Sequence, residues 1–194
     1  MSTGYQIEDQ TALYYLTLQV VDWIDIFTRP IYRDIIIDSL RFCQQKKGLQ
    51  IFGYVIMSNH IHLIANSTDG HLSETLRDFK KYTAKTIIRA IIEGNESRKD
   101  WLLNRFGFNA QQHNLSRSIG SRNEHYQVWT HENHAVILYS NDFIREKLEY
   151  LHNNPVRARI VEKPEDYLYS SARNYADSEG LLEVAFIEMK WKTY

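Results

Sequence analysis

The chain has little of what builds secreted, disulfide-stabilised or membrane-spanning proteins. Its 194 residues include one cysteine, Cys43, which excludes an internal disulfide and every zinc site made of several cysteines. No apolar run approaches the roughly 20 residues that span a bilayer. The first residues, MSTGYQIEDQTALYY, lack a basic region followed by an apolar stretch, so no secretory signal is predicted. We therefore expect a cytoplasmic protein that makes no membrane contact.

Proline and glycine are also scarce, with three and eight residues, and leave no flexible linker. A hydrophobic content of 43% with 24% charged residues is ordinary for a globular protein, and the length suits one buried core. We predict a single domain over residues 1–194. The mostly polar segment of about residues 95–125 is interpreted as a loop insertion, with a short helical piece around Trp101.

Neither sign of charge is in excess over the whole chain, but basic and acidic residues are unevenly distributed along it. The net charge is -1, which argues against a uniformly basic surface. Residues 77–105 contain eight basic and four acidic side chains, whereas residues 1–40 contain two basic and six acidic ones. A local basic face is compatible with nucleic acid, although such a run taken alone is more often a solvated helix surface.

The order of apolar patterns predicts an α+β protein. The predicted elements, in chain order, are a strand at 12–21, a helix from Pro30 to the residue before Gly48, strands at 49–57 and 60–67, a helix at 71–94, a strand-like segment at 126–140 and a helix that ends before Pro155. This order contains the ferredoxin-like βαββαβ arrangement. It predicts an antiparallel sheet with helices on one face, the other face free for a ligand, and a further helix near the C-terminus that carries Tyr150. The tail at 156–176 is expected to pack over the sheet.

The stretch MSNHIHLI places two histidines one residue apart in a predicted strand. His60 and His62 then point to the same face, and two imidazoles at that spacing can chelate one ion. Alone the pattern has low specificity, because strand histidines are more often bonded to neighbours or water. A third ligand is needed, and six other histidines are available for that role: His71, His113, His125, His131, His134 and His152.

The stretch EYLHNNPV offers another source for the third ligand. Tyr150 and Asn154 are four residues apart on a predicted helix, on one face together with Glu146. A tyrosine hydroxyl and an amide oxygen would therefore reach one point. The alternative interpretation is structural: Tyr150 is a packed aromatic residue, and Asn154 is a natural helix-ending residue before Pro155.

Three stretches together resemble the single-tyrosine transposases of the HUH nuclease superfamily, of the REP-associated and insertion-sequence type. They are YVIMSNHIHLI, LEYLHNNPVRARIVEKPEDYLYSSA and, more weakly, FKKYTAK, and they extend from Tyr54 to Ala172. The sequence departs from the family pattern in two single positions and one segment. Ser58 stands where proline is usual, Arg159 stands where a small residue such as glycine is common, and the segment at about 95–125 is longer than in compact members.

The resemblance implies a metal-dependent endonuclease and strand transferase. His60 and His62 would bind Mg²⁺ or Mn²⁺ with Asn154 as the third ligand, and Tyr150 would be the nucleophile that forms a 5′-phosphotyrosine. Tyr82 is the rival nucleophile and is placed second, because the residue four positions later is Thr86. The substrate implied is single-stranded DNA, often with hairpin ends, and the expected assembly is a homodimer.

Contacts to DNA are predicted at two places. Arg77, Lys80, Lys81 and Lys85 recur at helical spacing, and Arg157 and Arg159 follow the tyrosine. Tyr126 and Trp129 are candidate stacking surfaces for unpaired bases, although core packing is their commoner role. Two other functions stay open at this stage, a non-catalytic nucleic-acid-binding module and a histidine-based metallohydrolase.

Overall fold

The computed structural model describes residues 6–116 and 125–186. Its strands are β1 (Tyr14–Gln19), β2 (Leu49–Ile56), β3 (His60–Ser67) and β4 (Val136–Ile137). Its α-helices are α1 (Pro30–Lys46), α2 (Leu72–Glu93), α3 (Lys99–Ser116), α4 (Asn141–His152), α5 (Asn154–Arg157) and α6 (Ala172–Tyr175). Three short 3-10 turns occupy Val21–Trp23, Ile26–Thr28 and Pro164–Asp166. The prediction of an α+β protein is confirmed.

The strands form one antiparallel sheet in the order β2-β3-β1-β4. In the pairing of β1 with β3, Thr17 lies opposite His62, and Tyr15 lies opposite Ile64. Because side chains alternate along a strand, Tyr15 and Thr17 share the face of the sheet that carries His60 and His62. The first requirement of the predicted site, two histidines on one face, is met by this register.

The sequence predicts helices on one face of the sheet, the other face free for a ligand, and a further helix that carries Tyr150. This further helix, α4, packs on the sheet. Helix α1 packs against α2 and against β2. Helix α4 packs against β2 and β3, and Gly53 lies so close to it that an added Cβ would be 2.8 Å from Leu148 Cδ1. Gly53 is paired with Ile64, which shares the face of His62. Helix α4 therefore lies over the histidine face.

The longer helices begin and end for identifiable reasons. Pro30 occupies the first turn of α1, where its missing N–H costs no hydrogen bond. The Ser140 hydroxyl accepts a hydrogen bond from the Phe143 N–H at 3.3 Å and caps α4. In α2 one stripe is buried against the rest of the core: Leu72, Leu76, Phe79, Thr83 and Ile87. In the part of the chain described, no helix is long and apolar enough to cross a bilayer.

The interpretation of residues 95–125 as a loop is wrong over most of its length, because α3 is an 18-residue helix. Leu102, Phe106 and Ala110 follow one another at intervals of four and are almost fully buried. This narrow stripe holds the helix to the core, while the exposed apolar residues Trp101, Phe108 and Leu115 lie off the stripe and conceal the helical pattern. Residues 117–124 lie outside the described part of the chain.

Two further expectations are corrected at the C-terminal side of the sheet. The predicted strand at 126–140 contains only the two residues of β4, plus an isolated bridge between Val20 and Trp129. The tail, predicted to pack over the sheet, instead pairs with the outer edge of β2. There the Ile56 N–H donates to Tyr169 O at 3.0 Å, and the Ser171 N–H donates to Tyr54 O at 2.9 Å.

Candidate active site

The two histidines of β3 are held by different hydrogen-bond partners. Nδ1 of His60 lies 2.7 Å from Oδ1 of Asn59, and Nδ1 of His62 lies 3.0 Å from Oγ1 of Thr17. Their ring centroids are 4.6 Å apart. An amide oxygen can only accept, so Nδ1 of His60 donates, and the neutral ring keeps a lone pair on Nε2. If Nδ1 of His62 donates to Thr17 in the same way, the site presents two imidazole nitrogens as ligands.

Burial keeps both rings uncharged at neutral pH. It lowers the pKa of His62 to about 3, with the nearby His60 and Arg157 acting in the same direction. Burial also lowers the pKa of His60, partly opposed by the negative charge of Asp25. A neutral imidazole is the form that binds a metal ion.

Helix α4 brings Tyr150 to the histidines. The Tyr150 ring meets the His62 ring edge-on at a centroid distance of 6.0 Å, and 43% of Tyr150 remains exposed. Arg157 also lies against this ring, with its Cζ 4.0 Å from the ring centroid and its Nη2 donating to the Tyr150 carbonyl at 2.9 Å. The Tyr150 side chain thus contacts an imidazole and a guanidinium and stays partly exposed.

Asn154 opens α5, one turn after Tyr150. Its Nδ2 donates to the Tyr150 carbonyl at 3.1 Å, which leaves Oδ1 as the atom that can bind a cation. Glu146, the predicted helper, forms an exposed ion pair with Lys147 at 3.0 Å. The Asn154 side chain is therefore bonded to the backbone of Tyr150, as expected of a residue at the end of a helix, while Glu146 pairs with Lys147.

The candidate donors for a metal ion are two imidazole nitrogens and one amide oxygen. An amide oxygen, phosphate and water suit Mg²⁺ and Mn²⁺, whereas imidazole nitrogens are more typical ligands of transition metals. Within residues 6–116 and 125–186, no group of three or more His, Cys, Asp and Glu side chains is placed to hold a metal. Other histidines have their own neighbours: His152 is 2.9 Å from the Ser171 hydroxyl, and His113 stacks on His131 at 3.8 Å.

Sequence reasoning missed five residues around the histidines: Tyr15, Thr17, Trp23, Asp25 and Asn59. Tyr15 stacks on His62 at a centroid distance of 5.2 Å, and Trp23 meets His60 edge-on at 6.0 Å. Nδ2 of Asn59 donates to Oδ1 of Asp25 at 3.1 Å, so the partner of His60 is itself held. The only signal for Tyr15 in the sequence is its alternation with Thr17, which becomes informative once the register of β1 on β3 is known.

The rival Tyr82 lies elsewhere. It is 60% exposed on α2 and lines a groove of about 490 Å³ between α1 and α2, together with Phe42 and Cys43. The rings in contact with His62 belong to His60, Tyr15 and Tyr150. The structure thus places Tyr150 beside the histidines and Tyr82 in a groove between two helices.

The predicted basic residues of α2 line a groove of about 770 Å³ between that helix and residues 125–133. Lys81 and Lys85 are exposed there. Lys80 is used internally, since its Nζ donates to the carbonyls of Thr130 and Glu132 at 3.0 and 2.9 Å. Burial lowers its pKa to about 8. Arg77 bonds to its neighbour Asp78 at 3.2 Å but also lines the groove.

The two aromatic residues predicted to stack on bases differ in position. Trp129 is buried, and its Nε1 donates to the Thr83 hydroxyl at 2.9 Å, so it belongs to the core. Tyr126 is half-buried and lines the basic groove. Arg159, the last of the predicted DNA contacts, has a φ of 57° and follows α5.

Comparison with known proteins shows a likeness in fold. No family model matches the chain, and no curated protein matches it. A solved structure of a REP-associated tyrosine transposase bound to a REP hairpin is similar, with a TM-score of 0.57 and 15% identity, covering 100% of this chain and 99% of that one. The two proteins therefore share the α+β fold over their whole lengths.

Proposed function

We propose that this protein is a DNA transposase that cleaves and rejoins single-stranded DNA through a covalent link to Tyr150. The observation that carries the proposal is the position of Tyr150, whose ring lies 6.0 Å from the ring of His62 and 4.0 Å from Cζ of Arg157. An accessible hydroxyl, neutral imidazoles and a guanidinium together match what attack on a phosphodiester needs. The similar structure, a transposase bound to a hairpin, supports the same assignment.

The proposed reaction exchanges one phosphodiester for another. The Tyr150 oxygen forms a bond to phosphorus, the bond from phosphorus to the 3′ oxygen breaks, and the tyrosine proton ends on the released 3′-OH. Because the 5′-phosphotyrosine keeps the energy of the broken bond, a second 3′-OH can reverse the step and join new ends. No ATP is then required.

The residues around Tyr150 have distinct tasks in this proposal. Arg157, which stacks on the Tyr150 ring, would bind a phosphate oxygen and hold the nucleophile in place. His60, His62 and Asn154 would hold Mg²⁺ or Mn²⁺, which supplies charge to stabilise the pentacovalent transition state. Thr17 and Asn59 would keep the two imidazoles oriented.

We also propose the finer features of fold and assembly. The strand order β2-β3-β1-β4, with α1 and α2 in the crossovers, would be the ferredoxin-like arrangement. The substrate would be single-stranded or hairpin DNA, with the groove along α2 as its basic track. The working assembly would be a homodimer.

A covalent-capture experiment tests the function. The substrate is a single-stranded oligonucleotide labelled on the fragment that keeps the 5′ phosphate after cleavage. In the presence of Mg²⁺ or Mn²⁺, the wild-type protein should form a denaturant-resistant adduct with that labelled fragment. Tyr150→Phe should abolish the adduct and retain the fold and the affinity for DNA, whereas Tyr82→Phe, the matched control, should react normally.

The alternatives give different results in the same assay. A nucleic-acid-binding module would bind the oligonucleotide equally with and without metal and form no adduct. A metallohydrolase would release cleaved product without attachment to protein. An adduct that persists in Tyr150→Phe and disappears in Tyr82→Phe would transfer the role of nucleophile to Tyr82.

A further inference from the structure

The side chain of Tyr15 carries a buried polar atom that the fold leaves unsatisfied. Tyr15 is 7% exposed, and its hydroxyl has no hydrogen-bond partner within the described residues. Buried hydroxyl groups nearly always have a partner, because desolvation without a replacement bond is unfavourable. Phenylalanine would fill the same space without that cost. The hydroxyl therefore indicates a partner that arrives from outside the chain.

The surroundings of Tyr15 show where that partner would be. The Tyr15 ring stacks on His62 at 5.2 Å with an interplanar angle of 29°, and it meets the Tyr150 ring edge-on at 6.3 Å. Arg157 lies next to the same Tyr150 ring, with its Cζ 4.0 Å from the ring centroid. The Tyr15 ring is thus in contact with the proposed nucleophile and with one proposed metal ligand, and the guanidinium lies beside that nucleophile.

The chemistry of the groups around Tyr15 identifies the partner class. An uncharged tyrosine hydroxyl is available to donate, since a phenol ordinarily loses its proton near pH 10. The other groups there, a guanidinium and neutral imidazoles, are suited to a negatively charged oxygen or to a cation that accompanies one. A phosphate oxygen meets all of these requirements at once, and a phosphodiester is the group that Tyr150 would attack.

We propose that Tyr15 is a second catalytic tyrosine, which donates a hydrogen bond from its hydroxyl to a non-bridging oxygen of the scissile phosphate. The inference rests on the proposed function of Tyr150. Tyr15 forms no covalent bond and gives up no proton in this role. Its bond strengthens as negative charge gathers on the phosphate oxygens in the transition state, so its effect falls on the rate of cleavage more than on DNA affinity.

The test compares Tyr15→Phe with the matched variant Tyr54→Phe. Both changes remove one buried hydroxyl, but Tyr54 follows Gly53 on β2 and points to the opposite face of the sheet. Single-turnover adduct formation, affinity for uncleaved oligonucleotide and thermal unfolding are measured for each. Tyr15→Phe should slow adduct formation about 100- to 1000-fold, in the range of a lost transition-state donor. Its DNA affinity should stay within about twofold and its melting temperature should not fall, because the lost hydroxyl has no partner in the protein.

A phosphorothioate substrate separates this role from a structural one. Sulfur accepts hydrogen bonds poorly, so one diastereomer should slow the wild-type protein and Tyr54→Phe but slow Tyr15→Phe little further. The other diastereomer should affect all three proteins alike. A wild-type rate in Tyr15→Phe, or an undiminished sulfur effect, overturns the inference and leaves the function of Tyr150 standing. Absence of any adduct from the wild-type protein overturns both.

Discussion

At the scale of single residues, the site consists of groups whose orientation is set by neighbours far away in sequence. His60 and His62 are recognisable from their spacing, because alternation along a strand is a local rule. The partner of His62 is Thr17, 45 positions earlier, and no local pattern identifies it. The pairing of Asn59 with Asp25 is equally distant, 34 positions apart. Sequence therefore predicted the candidate ligands but not the residues that orient them.

Asn59 provides a test of that orientation. In Asn59→Ala the ring of His60 loses the acceptor of its Nδ1–H, so its Nε2 is no longer held in one direction. We expect the apparent affinity for Mn²⁺ to fall about 10- to 100-fold, as is typical when such a partner is removed. Adduct formation measured over a Mn²⁺ titration reports the change. Asn95→Ala, at an exposed position, is the control and should leave the titration unchanged.

At the scale of secondary-structure elements, local rules succeed where apolar patterns are broad and fail where they are narrow. The stripe of α2 is long, and the sequence predicts this helix to within one residue of its ends, Leu72 and Glu93. Helix α3 presents a narrow buried stripe, and the sequence predicts mostly a loop there. The segment at 126–140 is rich in residues that favour strands, but its pairing with β1 is limited to Val136 and Ile137.

The approach of α4 to the sheet depends on Gly53. In Gly53→Ala the new methyl group would lie 2.8 Å from Leu148 Cδ1, so α4 or the Leu148 side chain must shift. We expect a loss of about 1–3 kcal/mol in the free energy of unfolding, typical of overpacking, and slower adduct formation because Tyr150 moves with α4. Denaturant titration and single-turnover assays measure the two effects.

The control for this change is Gly107→Ala in α3. There the nearest atom, His125 O, would be 3.7 Å from the new methyl group, which is an ordinary contact. Because alanine is favoured over glycine inside a helix, stability should rise by about 0.5–1 kcal/mol. A destabilisation equal to that of Gly53→Ala would contradict the close-approach argument.

The end of α5 is a second place where the geometry of a helix decides how much one residue contributes to stability. Arg159 has a φ of 57°, and the N–H groups of Arg159 and Ile160 donate to the carbonyls of Val156 and Pro155, both at 2.9 Å. This left-handed position after a helix favours glycine. Arg159→Gly should therefore raise the free energy of unfolding by about 1 kcal/mol, measured by denaturant titration. Arg157→Gly, within α5, should instead lower it.

At the scale of the whole molecule, the net charge of -1 hides a local basic surface, since four basic residues of α2 line one groove: Arg77, Lys80, Lys81 and Lys85. The basic spacing in α2 was visible in sequence, but the roles of its members were not. Lys80 donates hydrogen bonds to the carbonyls of Thr130 and Glu132, which lie 50 and 52 positions away in the sequence. Lys81 and Lys85 remain exposed. Tertiary contacts of this kind decide which cations are available to a ligand.

Substitutions along α2 distinguish lysines that are available to DNA from the lysine that is bonded within the protein. Lys81→Met and Lys85→Met should each weaken DNA binding by a similar factor on all sequences, and each should reduce the slope of log K against log salt by about 1. Arg89→Met removes the same charge outside the groove and should change the slope less. Affinity measured from low to high salt reports both.

Lys80→Met should behave differently from its neighbours. It removes two hydrogen bonds to backbone carbonyls and leaves those carbonyls without their donor. We expect a loss of about 1–3 kcal/mol in the free energy of unfolding, measured by denaturant titration. A stability equal to that of Lys81→Met would contradict the structural role.

The pairing of the tail with β2 has a consequence for self-association. Exposed strand edges recruit other strands, and natural proteins protect them. Here residues 169–171 and Ala185, whose N–H donates to Ile51 O at 2.8 Å, occupy hydrogen-bonding positions along the outer edge of β2. At the opposite end, β4 offers only two residues. Both edges of the sheet are therefore poor templates for pairing with another chain. Truncation before residue 169 should expose the unpaired edge of β2 and promote fibril-like assembly.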